Sequence, residues 1–489
     1  MSKPIEKSEK GSGLIFLLLL LAVVASGCLK ATRPNLPRVF PPGAAPRGKN
    51  PVIVIPGILG SQLVKEQSRK QVWPGLFNSD EESLALPISS TNLAENTDDI
   101  VATEILETAR LASFLPEISV YDSLLLALER YGGYRRGRLD APEADGDRDT
   151  FYVFAYDWRR DNVESAHLLA RKIAALKQRL GRPELRFDIV AHSMGGLIAR
   201  YYAMYGERDV LDQSEPQPNW SGAENLRRLV MIGTPNAGSM DALRTLLRGY
   251  SVTETNRPPI GLIGKLGREV VFTLPSVYQL LPHRDKARFL NAELAPIKLD
   301  LFDLETWRRF GWSIVFEEKF SERQRRSLIK RMGPEAGRAH AERTQTERER
   351  FLQAALQRAA AFHRALNAAS APPDWLHLYL FGGDCEPTLD AALIITGKGK
   401  QLTLFRSNQA PGGRLSRRRA FEAMFVPGDG RVTRHSLFSL PREFEPKLAG
   451  ARAGQTYLQA IFSCELHGEL PLNLTLQDNL LTALLGNRY

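Results

Sequence analysis

One run of the chain, Phe187-Asp188-Ile189-Val190-Ala191-His192-Ser193-Met194-Gly195-Gly196-Leu197-Ile198-Ala199-Arg200, constrains the fold more than any other. Phe187 to Val190 reads as a buried strand, and the apolar stretch after Ser193 reads as a helix. The turn between them is sharp, and Gly195 and Gly196 stand where side chains would collide. A serine in such a turn is pushed out at the end of a sheet. The backbone N–H that follows it faces the same space.

Five further segments have the character of that strand. Pro51 to Ile55 is continuously apolar and enters the loop Pro56-Gly57-Ile58-Leu59-Gly60-Ser61. Phe151 to Tyr156 precedes a helical stretch from Asn162 to Leu180, and Leu229 to Gly233 ends at Thr234-Pro235-Asn236. Leu376 to Phe381 and Tyr457 to Phe462 come later. Continuous rather than alternating hydrophobicity implies burial on both faces, as in a parallel sheet covered by helices. The expected fold is therefore α/β, a mostly parallel, doubly wound sheet, with ligands at the carboxyl ends of the strands. Two connections are too long for simple crossovers. One, 62–150, interrupts the first part of the core, 51–236. The other, 237–374, follows the serine helix and the next strand and is expected to form a cap before the core resumes over 375–489. Residues 321–367 within it read as helical and carry Arg323, Arg325, Arg326, Arg348 and Arg350. That charge suits a solvated amphipathic helix or docking to anionic lipid head groups.

The formal charge of +10 in 489 residues comes mostly from arginine. Lys3, Lys7 and Lys10 precede an apolar run from Leu14 to Ala25 that is too short to span a bilayer comfortably. Residues 1–27 thus read as a secretory signal. Ala25-Ser26-Gly27-Cys28 resembles a bacterial lipobox, which implies a diacylglycerol on Cys28 and a lipid-anchored protein of the bacterial cell envelope, at the outer membrane and facing the periplasm or the surface. Residues 28–50, with Pro34, Pro37, Pro41, Pro42 and Pro46, read as the anchor and an extended tether. Cys385 and Cys464 follow core strands and suit either a disulfide in an oxidising periplasm or two buried thiols. No Cys/His cluster has zinc spacing and no P-loop or dinucleotide fingerprint occurs, so neither a metal nor an organic cofactor is expected, and no nucleic-acid partner.

A serine hydroxyl is a poor nucleophile at neutral pH and needs a base within hydrogen-bond reach and an acid to orient it. In strand–turn–helix sites of this kind the chain order is Ser, then Asp or Glu, then His. His467 follows the last core strand, where a loop can drop an imidazole onto Ser193. His435 is read as capping a local turn, and His192 as packing or hydrogen-bonding under the serine turn. Two acids compete. Asp384 sits directly after the penultimate strand, the position topology favours; Asp429 sits on a later glycine-flanked turn. The developing oxyanion needs two backbone N–H groups, supplied by Met194 and by Ile58 in the loop after the first strand.

Pro56-Gly57-Ile58-Leu59-Gly60-Ser61, Tyr156-Asp157-Trp158-Arg159, Ala191-His192-Ser193-Met194-Gly195-Gly196, Ile232-Gly233-Thr234-Pro235 and Gly428-Asp429-Gly430-Arg431-Val432 occur in this order. Together they resemble the lecithin:cholesterol acyltransferase family of the α/β-hydrolases, with phospholipid:diacylglycerol acyltransferases and lysosomal phospholipase A2. The resemblance implies Ser193 as nucleophile, Asp429 as acid and His467 as base, displacing Asp384. It implies serine-dependent acyl transfer from a lipid ester, such as a phospholipid, to water or to an alcohol acceptor. Two departures from the family stand out: the first insertion lacks cysteine, and the cap matches only at Leu274 to Pro282. Asp157 and Arg159 are expected to pair and brace their loop. An esterase for small or peptide-linked esters and a non-catalytic envelope lipoprotein are the competing readings.

Overall fold

The computed structural model describes residues 33–75, 81–110, 117–142, 148–251, 265–397, 400–410, 415–444, 457–462 and 464–486. The expected signal, Cys28 and the apolar segment 260–264 lie outside the described residues.

Seven strands form the main sheet: β1 Val52–Ile55, β2 Arg135–Arg136, β3 Thr150–Val153, β4 Phe187–His192, β5 Leu226–Ile232, β6 His377–Gly382 and β7 Tyr457–Ile461. Their order is β7-β6-β5-β4-β1-β3-β2, and every pair is parallel. With helices on both faces this is an α/β-hydrolase-type doubly wound sheet. β2 is the one strand of the sheet that the apolar pattern does not announce, being two exposed arginines at the edge. Alternation sorts each strand between the two faces. Val52 and Val54 pack with helix α1, Asp122–Arg130, and with α6, Leu474–Leu485. Ile53 and Ile55 face the opposite cluster, with α2, Asn162–Leu180, and α3, Met194–Tyr205. α2 starts and stops where its sequence says: Asp161 accepts from Val163 N–H, and Gly181 adopts φ 63° at the C-cap.

Sheet order changes direction between β1 and β4. From β1 the chain goes to β3 on one side, and from β4 to β5, β6 and β7 on the other. The loops that leave β1 and β4 therefore open into one crevice, the usual place for a ligand in such sheets.

The 237–374 region divides in a way that periodicity does not foretell. α4, Glu318–Met332, and α5, Pro334–Leu366, form a hairpin at Gly333. The last turns of α5 are not cap: Phe351, Leu352, Ala355, Leu356, Ala359 and Phe362 are buried, and Tyr205 on α3 donates to Ala365 O at 2.8 Å. This half of α5 is the crossover from β5 to β6. Arg323, Arg325, Arg326 and Arg350 are exposed, whereas Arg348 lies over the Phe320 ring. A strand of the cap, Arg288–Leu290, also pairs with Ala391–Gly397 from beyond β6, so residues on both sides of 375 build that surface.

The segment 33–50 is not the unpacked tether its prolines suggest. Leu36–Val39 forms a helical turn capped by Asn35, Leu36 is buried, and Asp149 accepts from the main chain of Gly48 and Lys49. Pro37 does not prevent this, because proline is tolerated in a first helical turn. Among the described residues no helix is long and apolar enough to cross a membrane.

Candidate active site

Ser193 sits between β4 and α3 at φ 54°, ψ −125°, a region that non-glycine residues occupy only when surroundings impose it. Its N–H donates to Ile232 O at 2.7 Å, and its carbonyl accepts from Gly196 N–H at 3.0 Å. Packing leaves no choice at the next two positions. A Cβ on Gly195 would lie 2.4 Å from Pro56 O, and one on Gly196 would lie 1.9 Å from Thr234 Oγ1. The side chain of Ser193 is thereby aimed out of the sheet into the crevice.

His467 arrives from the loop after β7. Its Nε2 lies 2.8 Å from Ser193 Oγ and its Nδ1 2.8 Å from Asp429 Oδ2. With Oδ2 accepting from Nδ1–H, Nε2 is left to accept the serine proton. Asp429 Oδ1 is occupied by the main-chain N–H groups of Arg431, at 3.0 Å, and Val432, at 2.7 Å. The carboxylate is therefore locked in rotation and almost wholly buried.

Asp384, the acid that strand order favours, is not at this site. It faces Arg434 at 3.7 Å and is partly exposed. The chain turns away after β6, and Gly383 packs so closely on the Asp429 turn that a Cβ there would lie 3.1 Å from Asp429 Cβ. Asp429 is brought back by an antiparallel pair, Glu386–Leu389 with Phe425–Gly428. It thus occupies the space beyond the end of β6 although it is later in sequence. His435 contacts Thr433 at 3.4 Å and Asp390 at 3.1 Å, away from the serine.

Met194 is the first residue of α3, so its N–H has no partner four residues back. Gly57 lies against the serine, since a Cβ there would be 2.8 Å from Ser193 Cβ, and Ile58 follows it in the same loop. The loop that presents Ile58 is clamped from several directions. Tyr156 Oη donates to Pro56 O at 2.9 Å, Trp158 Nε1 to Ser61 O at 3.2 Å and Trp73 Nε1 to Leu59 O at 2.8 Å. Arg159, fully buried, donates to both oxygens of Asp157 and both of Asp98 at 2.6–2.9 Å. The Tyr156–Arg159 motif thus braces the Pro56–Ser61 loop. Asp157 was legible as the partner of Arg159; Asp98, in the first insertion, was not, because nothing local links them.

Cys385 and Cys464 form a disulfide with Cα atoms 4.7 Å apart, tying the end of β6 to the loop that carries His467. Among the described residues no group of three His, Cys, Asp or Glu side chains could hold a metal ion.

Residues 101–343 match the lecithin:cholesterol acyltransferase family model. No curated protein sequence matches the chain. Among solved structures the chain is similar to one from the Tle4–Tli4 complex, at 15% identity and TM-score 0.49 over 89% of this chain and 98% of that one. It is also similar to lipase 1 from Pelosinus fermentans, at 12% identity and TM-score 0.35 over 90% of this chain and 100% of that one. EstA from Clostridium botulinum is similar at 13% identity and TM-score 0.33, over 94% and 95%. With the matched segment running through the serine elbow and the five motifs in register along the chain, the protein is a member of the lecithin:cholesterol acyltransferase family.

Proposed function

We propose that the protein moves acyl groups of lipid esters through an acyl-enzyme on Ser193. The observation that carries this reading is the Ser193–His467–Asp429 series, with both side-chain links at 2.8 Å. Family membership supports ester hydrolase or acyltransferase chemistry on lipids in general. In the proposed cycle His467 Nε2 takes the proton of Ser193 Oγ as the oxygen attacks the ester carbonyl. The N–H groups of Ile58 and Met194 receive the oxyanion. His467 then returns the proton to the leaving alcohol as the carbonyl–oxygen bond breaks, leaving the acyl group on Ser193. Water or a second alcohol, activated by the same imidazole, releases it. Asp429 keeps the imidazole in the productive tautomer throughout.

A fluorophosphonate probe and a phospholipid with a labelled acyl chain test this together. Wild type should take up the probe on Ser193, and Ser193→Ala should not. Labelled acyl should appear as free fatty acid in buffer, and as a new ester when a lipid alcohol is supplied, if the second step favours transfer. An unlabelled wild type, or equal labelling of Ser193→Ala, sinks the reading. We further propose that Cys28 carries the envelope anchor that keeps the enzyme beside its substrate; an unmodified mature N-terminus by mass spectrometry would refute it.

A further inference from the structure

Under Ser193 runs a hydrogen-bond series whose direction is determined at each step. The Gly57 N–H can only donate, and it gives to Tyr121 Oη at 2.9 Å. The Tyr121 hydroxyl then has its own proton for His192 Nδ1, at 2.7 Å. At the far end the main-chain carbonyl of His467 can only accept, and His192 Nε2 lies 3.1 Å from it. Both ends require the same form of His192: Nδ1 bare, Nε2 protonated. The series continues from the His467 N–H to Asp429 O at 2.8 Å. Both linking side chains are buried. Burial, and then the nearby His467, push the His192 pKa down to about 3, which keeps the imidazole neutral. Burial also pushes the Tyr121 hydroxyl well above its usual range, so that it keeps its proton.

The series joins two loops that leave strands far apart in the sheet. The Ile58 loop leaves β1 and the His467 loop leaves β7, four strand intervals away. At a strand spacing of about 4.8 Å the two strands are roughly 19 Å apart. β1 and β7 are not neighbours in the sheet, so no ladder hydrogen bond joins them directly. We propose that His192 and Tyr121 are positioning residues for acyl transfer, a bridge that holds the main chain presenting the Ile58 N–H in register with the main chain carrying His467. The inference rests on the serine acyl-transfer reading. Neither side chain hydrogen-bonds to a reacting atom, although the His192 ring lies 4.9 Å, centroid to centroid, from the ring of His467; each hydrogen-bonds instead to the main chain of the loops that carry Ile58 and His467.

The test uses the full chain with Tyr121→Phe, His192→Leu, His192→Gln and the double variant Tyr121→Phe/His192→Gln, followed by ester turnover and thermal unfolding. A displacement of about 1 Å at a reacting group can cost about a hundredfold, so Tyr121→Phe and His192→Leu should lose kcat on that scale with KM little changed. His192→Gln can still present an N–H to the His467 carbonyl and should recover roughly five- to tenfold relative to leucine, the weight of one neutral hydrogen bond. Because both residues serve one series, the double variant should lose much less kcat than the product of the single losses. Folded variants that keep kcat within about twofold of wild type, lose only in KM, or show independent losses overturn the inference. Should His192→Leu fail to fold, the glutamine and phenylalanine variants and their combination decide it alone. A wild type that labels on Ser193 and turns over ester alongside unaffected variants removes only the bridge. A wild type that does neither removes the acyl-transfer reading and the bridge with it.

Discussion

His467 holds Asp429 twice, through Nδ1 to Oδ2 at 2.8 Å and through its main-chain N–H to the Asp429 carbonyl, also at 2.8 Å. The imidazole and the carboxylate are thus registered by their backbones as well as by their side chains. A carboxylate delivered this way resists replacement by a neighbour.

Asp429→Asn should therefore leave the fold intact and lower kcat by about ten-thousandfold, since an amide there can favour the wrong imidazole tautomer. Asp384→Asn removes only a partly exposed contact with Arg434 at 3.7 Å, of the sort worth about 0–1 kcal/mol, and should leave kcat near wild type. Turnover of a chromogenic ester by the two variants separates the assignments. The reverse pattern would make Asp384 the acid.

Arg159 offers a test of the loop support. Its buried guanidinium satisfies two carboxylates, so Arg159→Met leaves Asp98 and Asp157 facing each other without a cation. A loss of about 3–5 kcal/mol in unfolding free energy is expected. Arg159→Lys should recover little, because one ammonium cannot reproduce the paired bonds that the guanidinium makes to each carboxylate. Urea denaturation checks this; a lysine variant as stable as wild type would contradict it.

At the elbow, Gly196→Ala puts a methyl 1.9 Å from Thr234 Oγ1 and 2.7 Å from Thr234 Cγ2, with Thr234 itself fully buried. Overpacking of about 1–3 kcal/mol or more should follow. Thr234→Ala in the same chain should recover part of it by removing both atoms. Thermal unfolding of the single and double variants reads the rescue; no rescue would place the strain elsewhere.

Burial holds His192, His363 and His283 neutral. The pKa of His192 is pushed down to about 3 and that of His363 to about 4, while His283 is held well below its ordinary range, with His363 adding to the burial effect. Unfolded, each would titrate near 6.5. As pH falls below that value the unfolded chain takes up protons that the folded chain refuses, so stability present above about pH 6.5 is lost toward pH 4. Each histidine contributes up to about 1.4 kcal/mol per pH unit across that window. The urea midpoint should be lower at about pH 5.5 than at about pH 7.5, and less so in His363→Gln. An equal or higher midpoint at the lower pH in wild type would contradict the assignment.

Local pattern was enough for a large share of this fold. The continuous apolar runs at Val52–Ile55 and Phe187–Val190 mark strands buried on both faces, and 162–180 forms the helix read there. The 321–367 stretch shows where pattern stops. It reads as one helical segment of a cap, yet the chain breaks at Gly333 and seats 351–366 on α3. Helical periodicity says that a face is apolar; it does not say which surface will cover it.

The site divides along the same line. Ser193 and the adjacent Met194 belong to a strand–turn–helix whose geometry is local, and His467 belongs to the loop after the last strand, so sequence alone placed them. Strand order alone chose Asp384. The choice of Asp429 from the residues themselves depended on the pairing of Glu386–Leu389 with Phe425–Gly428, which carries a later turn back to the end of β6. Asp98 beneath Arg159, the Cys385–Cys464 bond and the Tyr121–His192 link were likewise decided only in the folded chain. The physical reason is the range of the interactions. Backbone sterics and hydrophobic period act over a few residues and are written in each segment, whereas a hydrogen-bond partner from a distant segment is selected by how the layers pack.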